Sequence, residues 1–182
     1  MTVERFAPSP TGPLHLGHAF SAMTAWDHAQ AAAGTFLLRI EDIDRQRSKP
    51  EWEAQIFVDL HWLGLDWPEP VLRQSQRMPA YRAALAALWV RGLLYPCSCT
   101  RRDIEAAASA PQEGVPRFGP DGMIYPGTCR MRPDPASPLP EGTVLRLNMA
   151  LAVEGCGPLA FQETGPHHAG THRPDPARLP EE

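Results

Sequence analysis

Pro8, Pro10 and Pro13 crowd the chain between a short strand-like run, Val3 to Ala7, and a long run rich in Ala, Leu and Met, Leu14 to Ala33. Proline fixes its own φ, has no N–H to donate, and keeps the residue before it out of the α region. The chain must therefore stay extended after the strand, and a helix can begin only beyond Pro13. The expected layout is a strand, a rigid turn, and a helix whose first turn carries His15, Gly17 and His18. In an α/β fold such a junction lies at the carboxyl end of a parallel strand. Unpaired helix N–H groups and the positive end of the macrodipole attract phosphate there.

The side chains at this junction suit that chemistry. His15 and His18, three apart, share one side of the first turn and can donate to phosphate oxygens. Gly17 removes a side chain that would hold a nucleotide off the backbone. Taken alone, a His-x-x-His pair more often marks two polar helix-start residues, and a zinc pair is a further alternative. Gly34 supplies a C-cap, and Thr35 to Ile40 reads as a second, fully buried strand, which completes a βαβ unit. The run Arg39-Ile40-Glu41-Asp42-Ile43-Asp44-Arg45 then sets charged groups at the carboxyl end of that strand, beside the helix start if the crossover has its usual hand. Pro50 opens another helix with Glu51 and Glu53 in its first turn and an apolar face of Trp52, Ile56, Phe57, Leu60 and Leu63. Gly64 ends it. Pro79 to Leu94 reads as a further helix, broken near Gly92, and Gly142 to Leu147 as a later strand.

Length and composition bound the rest. A chain of 182 residues that is 43% hydrophobic holds one core and a small appended module. No apolar run is long enough to span a bilayer, and the N-terminus enters the first strand without a charged-then-apolar leader, so a cytoplasmic protein is expected. The formal net charge of −4 argues against gripping nucleic acid by bulk electrostatics. Lys49 is the sole lysine.

In such a compartment the four cysteines point to metal or free thiols. Cys97 and Cys99 sit two apart, and Cys129 follows in a Gly- and Pro-rich stretch with Tyr125 four residues before it. Three thiolates with one oxygen or nitrogen ligand would complete a tetrahedral zinc site. Buried free thiols are the alternative, and chemistry alone would put water or histidine in the fourth position. Cys156 stands apart. His167, His168 and His172, flanked by Gly and Pro, read as a flexible tail or a metal tract.

Four segments in order, Arg5-Phe6-Ala7-Pro8-Ser9-Pro10, His15-Leu16-Gly17-His18, Arg39 to Asp44, and Gln74-Ser75-Gln76-Arg77 with Tyr81, resemble the class I aminoacyl-tRNA synthetases of the glutamate group. The second matches their HIGH signature, and Ile124 to Arg130 resembles the shortened members, the glutamyl-queuosine tRNA(Asp) synthetases. The resemblance implies an α/β fold: the N-terminal half of a class I synthetase Rossmann-like nucleotide-binding fold with a small zinc-binding insert. It implies a catalytic half over 1–94, the insert over 95–131, a linker and return strand over 132–160, and a tail over 161–182.

It also implies a ligase that joins glutamate to ATP as glutamyl-adenylate and passes the glutamyl group to the queuosine base of tRNA(Asp). In that family pattern Arg5, Phe6, Ala7, Ser9 and Glu41 bind glutamate, and Pro8, Ser9, Pro10, Thr11, Gly12 and Gly17 cradle ATP with its Mg2+. His15 and His18 act on the phosphates, and Cys97, Cys99, Tyr125 and Cys129 hold a structural zinc. A monomer without a membrane partner is expected. With Lys49 the last lysine, the family's second, lysine-bearing KMSKS-type signature has no counterpart, and nothing after Leu147 resembles the family's later glutamate contacts. The chain is therefore expected to be an N-terminal piece that reacts slowly if at all by itself. A fragment of the standard glutamyl-tRNA synthetase, or a catalytically incompetent zinc-binding half-domain, is the alternative.

Overall fold

The structure, a computed structural model, describes residues 1–109, 118–119, 122–131 and 133–179, so the middle of the expected insert, position 132 of the linker and the last residues of the tail lie outside it. The chain forms two compact units, Met1–Tyr81 and Arg82–Glu182, a division that falls inside the segment expected as 1–94.

In the first unit, strand β1 (Val3–Phe6) leads through helix α1 (Leu16–Ala31) to strand β2 (Thr35–Ile40), then through helix α2 (Pro50–Trp62) to the short strand β3 (Leu72–Arg73). The three strands form one parallel sheet in the order β1-β2-β3. Phe6, Phe36, Leu38 and Ile40 point to one face and bury against Ala22 and Ala29 of α1 and Ile56 and Leu60 of α2. Each large side chain so buried contributes about 1.5–3 kcal/mol.

The other face is open, contrary to the expectation of a strand buried on both sides: Leu37 is 37% exposed and Val3 56%. The strands run in chain order, so both crossovers lay their helices on the same side, and a one-sided core follows. Gly64 caps α2 with a left-handed φ of 77°. Gly34 serves differently from the expected cap. The left-handed residue is Ala33 (φ 46°), whereas a Cβ on Gly34 would lie 2.4 Å from the Thr2 carbonyl oxygen. That close approach arises where Thr35 N–H donates to Thr2 O (2.9 Å) at the first rung of the sheet.

A 3₁₀ turn, Gln74–Arg77, leads into helix α3 (Met78–Val90), after which Gly92 turns the chain at φ 69°. In the second unit, strand β4 (Leu94–Cys97) precedes helix α4 (Arg101–Ser109), the small ribbon β5 (Phe118–Gly119) and β6 (Gly122–Met123), strand β7 (Val144–Leu147) and helix α5 (Met149–Glu154). The expected return strand, β7, pairs antiparallel with β4 and does not join the parallel sheet. Trp89 Nε1 donates to Ser137 O (2.8 Å), which ties the end of α3 to this later chain. Within the stretch read as a tail, β8 (Phe161–Glu163) and β9 (Gly170–His172) pair antiparallel, with Phe161 and His172 stacked across the ribbon at 5.3 Å.

Candidate functional site

Two groups of chemistry-bearing side chains stand out, one in each unit.

The first is built on the proline-rich turn. Having no N–H, its prolines serve the fold as acceptors only: Glu41 N–H donates to Pro8 O (2.9 Å) and Lys49 N–H to Pro10 O (3.0 Å). The turn after β1 is thereby stitched to the segment that leaves β2. Ser9 is exposed and Thr11 and Gly12 half-buried, so these positions are accessible from solvent. Phe6 is buried in the core, and only its main chain is available. Arg5 is exposed on the strand face opposite Phe6. Glu41 pairs with Arg39, not with Arg5, and that ion pair fixes the carboxylate at the strand exit. The Arg39 Nε is buried without a partner among the described residues.

Asp42, next along, accepts from the backbone N–H (2.8 Å) and hydroxyl (2.5 Å) of Ser75. Burial pushes its carboxyl up, but the two Ser75 bonds and the nearby Arg73 outweigh it and hold the group below its ordinary value. Asp42 and Ser75 line, with Pro10, Arg45, Ser48 and Lys49, a cleft of about 370 Å³.

His15, read as a residue of the first helical turn, is the N-cap of α1 with extended backbone (φ −123°, ψ 173°). Leu14 packs against the core, and the chain turns helical only beyond it. His15 N–H donates to His18 Nδ1 (3.2 Å), and the two rings stack with centroids 3.7 Å apart. With Nδ1 accepting, a neutral His18 carries its proton on Nε2, which makes that atom a donor. Burial and the neighbouring His15 lower the His18 pKa, so the neutral form prevails at pH 7. Gly17 has a second use here, since a Cβ would come within 3.2 Å of the His15 ring.

The second group comprises Cys97 at the end of β4, Cys99, Cys129 and Tyr125. The three Sγ atoms lie within 4.8 Å of one another. Cys99 and Cys129 are 3.4 Å apart, and Tyr125 Oη is 3.4 Å from Cys97 Sγ and 3.6 Å from Cys99 Sγ. A tetrahedral zinc, with Zn–S near 2.3 Å and Zn–O near 2.0 Å, sets S···S at about 3.8 Å and S···O at about 3.5 Å. The tyrosine oxygen thus lies at about the spacing of a fourth ligand from two of the three sulfurs, and the residues fit a tetrahedral metal.

Their ionisation is divided: two of the thiols are shifted toward the thiolate, and Cys99 and Tyr125 are shifted away from the anion. Burial pushes the Cys97 thiol up, but hydrogen bonds from Tyr125 and Arg146, with lesser help from the Cys99 backbone and Cys129, bring it down to about 6. The Tyr125 hydroxyl and the Ser98 backbone lower Cys129. For Cys99 the Tyr125 bond pulls down, but Cys129, burial and Cys97 together raise it. Tyr125 is raised by burial and by its bonds to Cys97 and Cys129. Arg146 lies with its Cζ 4.2 Å from the Tyr125 ring centroid. Cys156 is exposed and outside this group.

Sequence reading assigned no role to Arg39, Asp42, Ser75 or Arg146. Asp42 and Arg39 flank Glu41 closely enough to have been suspected. Ser75 lies in one of the four segments of the resemblance, but its bond to Asp42 spans 33 residues and leaves no local trace; no sequence signal joins Arg146 to its group, because the link there is strand pairing.

The sequence family described as tRNA synthetases class I (E and Q), catalytic domain, matches residues 1–118. A glutamyl-Q tRNA(Asp) synthetase of Rhodobacter capsulatus is 64% identical over 97% of this chain, which spans 63% of that protein's length. Its counterpart from Symbiobacterium thermophilum is 51% identical over 71% of the chain and 42% of its own length. Among solved structures, a glutamate tRNA ligase from Elizabethkingia meningosepticum in complex with its amino acid aligns with a TM-score of 0.63 at 26% identity, covering 99% of this chain and 37% of the ligase.

Proposed function

The chain belongs to the class I tRNA synthetases (E and Q), and on that premise we propose that it is the glutamate-activating part of a glutamyl-Q tRNA(Asp) synthetase. In this reading a glutamate α-carboxylate oxygen attacks the α-phosphorus of ATP. The new oxygen–phosphorus bond gives glutamyl-adenylate, and the bond to the β-phosphate breaks with pyrophosphate taking the electron pair. The glutamyl group then passes to the queuosine base of tRNA(Asp), and AMP leaves.

The substrate supplies the nucleophile, so the protein's task is positioning and charge stabilisation. The Arg5 guanidinium receives a carboxylate in a bidentate fork and Ser9 adds a hydroxyl, while Glu41, held by Arg39, accepts from the ammonium. The turn from Pro8 to Gly12 and the α1 start at Gly17 receive the nucleotide, and ATP brings its Mg2+ with it. His15 and His18, the latter through Nε2–H, donate to the phosphates as charge develops. Cys97, Cys99, Tyr125 and Cys129 would hold a structural zinc, which would cross-link β4 to the loop carrying Tyr125 and take no part in the reaction.

The observation that carries this reading is the backbone tie between Glu41 N–H and Pro8 O (2.9 Å). It joins the two segments whose side chains must meet glutamate and ATP together. The test is ATP–pyrophosphate exchange by the 182-residue chain. Slow exchange that depends on glutamate but needs no tRNA is the expected result. Exchange that appears only with tRNA favours the standard glutamyl-tRNA synthetase reading, to which the Elizabethkingia ligase lends support. No exchange and no glutamate binding at millimolar concentration would leave the incompetent half-domain.

A further inference from the structure

The β4–β7 pairing sets Tyr95 opposite Arg146 and Cys97 opposite Val144. Tyr95 and Cys97 are two apart in a strand and so project from the same face, which Arg146 shares across the ribbon. The guanidinium lies over the Tyr125 ring at 4.2 Å, and the Cys97 thiol on the facing strand raises its pKa. Its Nε is buried with no partner among the described residues. A half-buried guanidinium with an unmet donor is costly unless a nearby negative charge compensates it. Three thiolates around a divalent cation leave one surplus negative charge, and a guanidinium against one thiolate and the tyrosine face offsets it.

We propose that Arg146 is the positioning residue of this site: it orients the Tyr125 ring toward the cluster, and its charge stabilises the metal-loaded thiolates from outside the coordination sphere. This rests on the reading of Cys97, Cys99, Tyr125 and Cys129 as zinc ligands. Loss of such outer partners typically weakens metal affinity about 10- to 100-fold. Arg130 is a nearby exposed cation, with its guanidinium 3.5 Å from the Cβ position of Gly127, and provides a control.

The full chain is loaded with zinc, its stoichiometry is measured, and the metal is titrated out with a chromophoric chelator. Arg146→Met is expected to hold zinc at the wild-type stoichiometry but to release it at about 10- to 100-fold lower chelator concentration. Arg146→Lys should recover much of that loss, and Arg130→Met should behave as wild type. After cobalt exchange, the thiolate-to-cobalt charge-transfer bands should shift in Arg146→Met, a signature that a packing defect away from the ligands does not produce. Where Arg146→Met fails to fold by circular dichroism, Arg146→Lys decides: retention intermediate between wild type and the metal-free baseline supports the role, and retention at that baseline overturns it. Equal retention in Arg146→Met and wild type, or equal weakening in Arg130→Met, overturns the proposal while leaving the zinc reading intact. A wild-type chain that takes up no zinc overturns both.

Discussion

Single side chains here owe their roles to backbone accidents that differ from what their identities suggest. Gly34 sits where glycine caps a helix, yet the constraint on it is the Thr2 carbonyl 2.4 Å from its missing Cβ. Gly34→Ala must push the first rung of the sheet apart. It should cost about 1–3 kcal/mol in a denaturant melt, whereas Gly12→Ala, with nothing within 4 Å of its Cβ position, should change the midpoint little; equal midpoints for both would refute the steric account. Asp42 offers a pH test. Its folded pKa lies below the ordinary 3.8, so the stabilisation from Ser75 is fully present above that unfolded-state value. It is lost as the pH falls through the lower folded value. Ser75→Ala, removing one partly exposed charge-assisted bond, should cost about 1 kcal/mol at pH 6, with the difference from wild type shrinking below pH 4. A penalty that stays constant down to pH 2 would sink the assignment. His18→Ala should slow adenylate formation about 10²- to 10³-fold without altering the circular dichroism. The His-x-x-His spacing made the two rings visible in the sequence as neighbours. The donation from His15 N–H to His18 Nδ1 depends on His15 leaving the helix as its N-cap, which composition cannot announce.

At the level of elements, periodicity and punctuation carried most of the legible information. Thr35 to Ile40 is a strand with the boundaries that its β-branched and aromatic run suggested, and Pro50 opens α2 while Gly64 closes it. Burial was less legible than type. A run of Phe, Leu and Ile looks the same whether one face or two will be covered, and only the sheet order decides that β2 has an open side. Pairing partners were least legible of all. Val144–Leu147 could be read as a strand, but its antiparallel bond to β4 joins residues about fifty apart and leaves no local trace. That pairing is the scaffold for Cys97 and Arg146, and it motivates a metal-removal prediction. Chelation of a zinc-loaded chain should strip hydrogen-exchange protection from 94–97 and 144–147 about tenfold or more, since binding energy at such sites is folding energy. The amides of Phe36, Leu38 and Ile40 should keep theirs, because their core is made within the first unit. Uniform loss across both units, or none at β4, would contradict it.

For the whole molecule, the question is what two consecutive βαβ units can supply toward the proposed adenylate chemistry. The first unit gathers its polar side chains at the carboxyl ends of β1 and β2, where parallel sheets place ligands, and the turn–strand ties at Pro8 and Pro10 make that edge rigid before any ligand arrives. Preorganised ground-state contacts of this kind act on binding, whereas stabilisation of a leaving pyrophosphate acts on the rate. In the function proposed above, the side chains at this edge are weighted toward recognition. Glutamate binding should therefore be separable from turnover by substitution. Arg5→Ala and Glu41→Gln should each weaken glutamate binding, measured calorimetrically on the 182-residue chain, by about 1.5–3 kcal/mol for a lost charge-assisted bond. His18→Ala should leave that affinity within about twofold while depressing exchange by the factor given above. If His18→Ala weakened glutamate binding as much as Arg5→Ala, the division of labour between the β1 exit and the α1 start would be wrong, and the histidine pair would belong to recognition instead of chemistry.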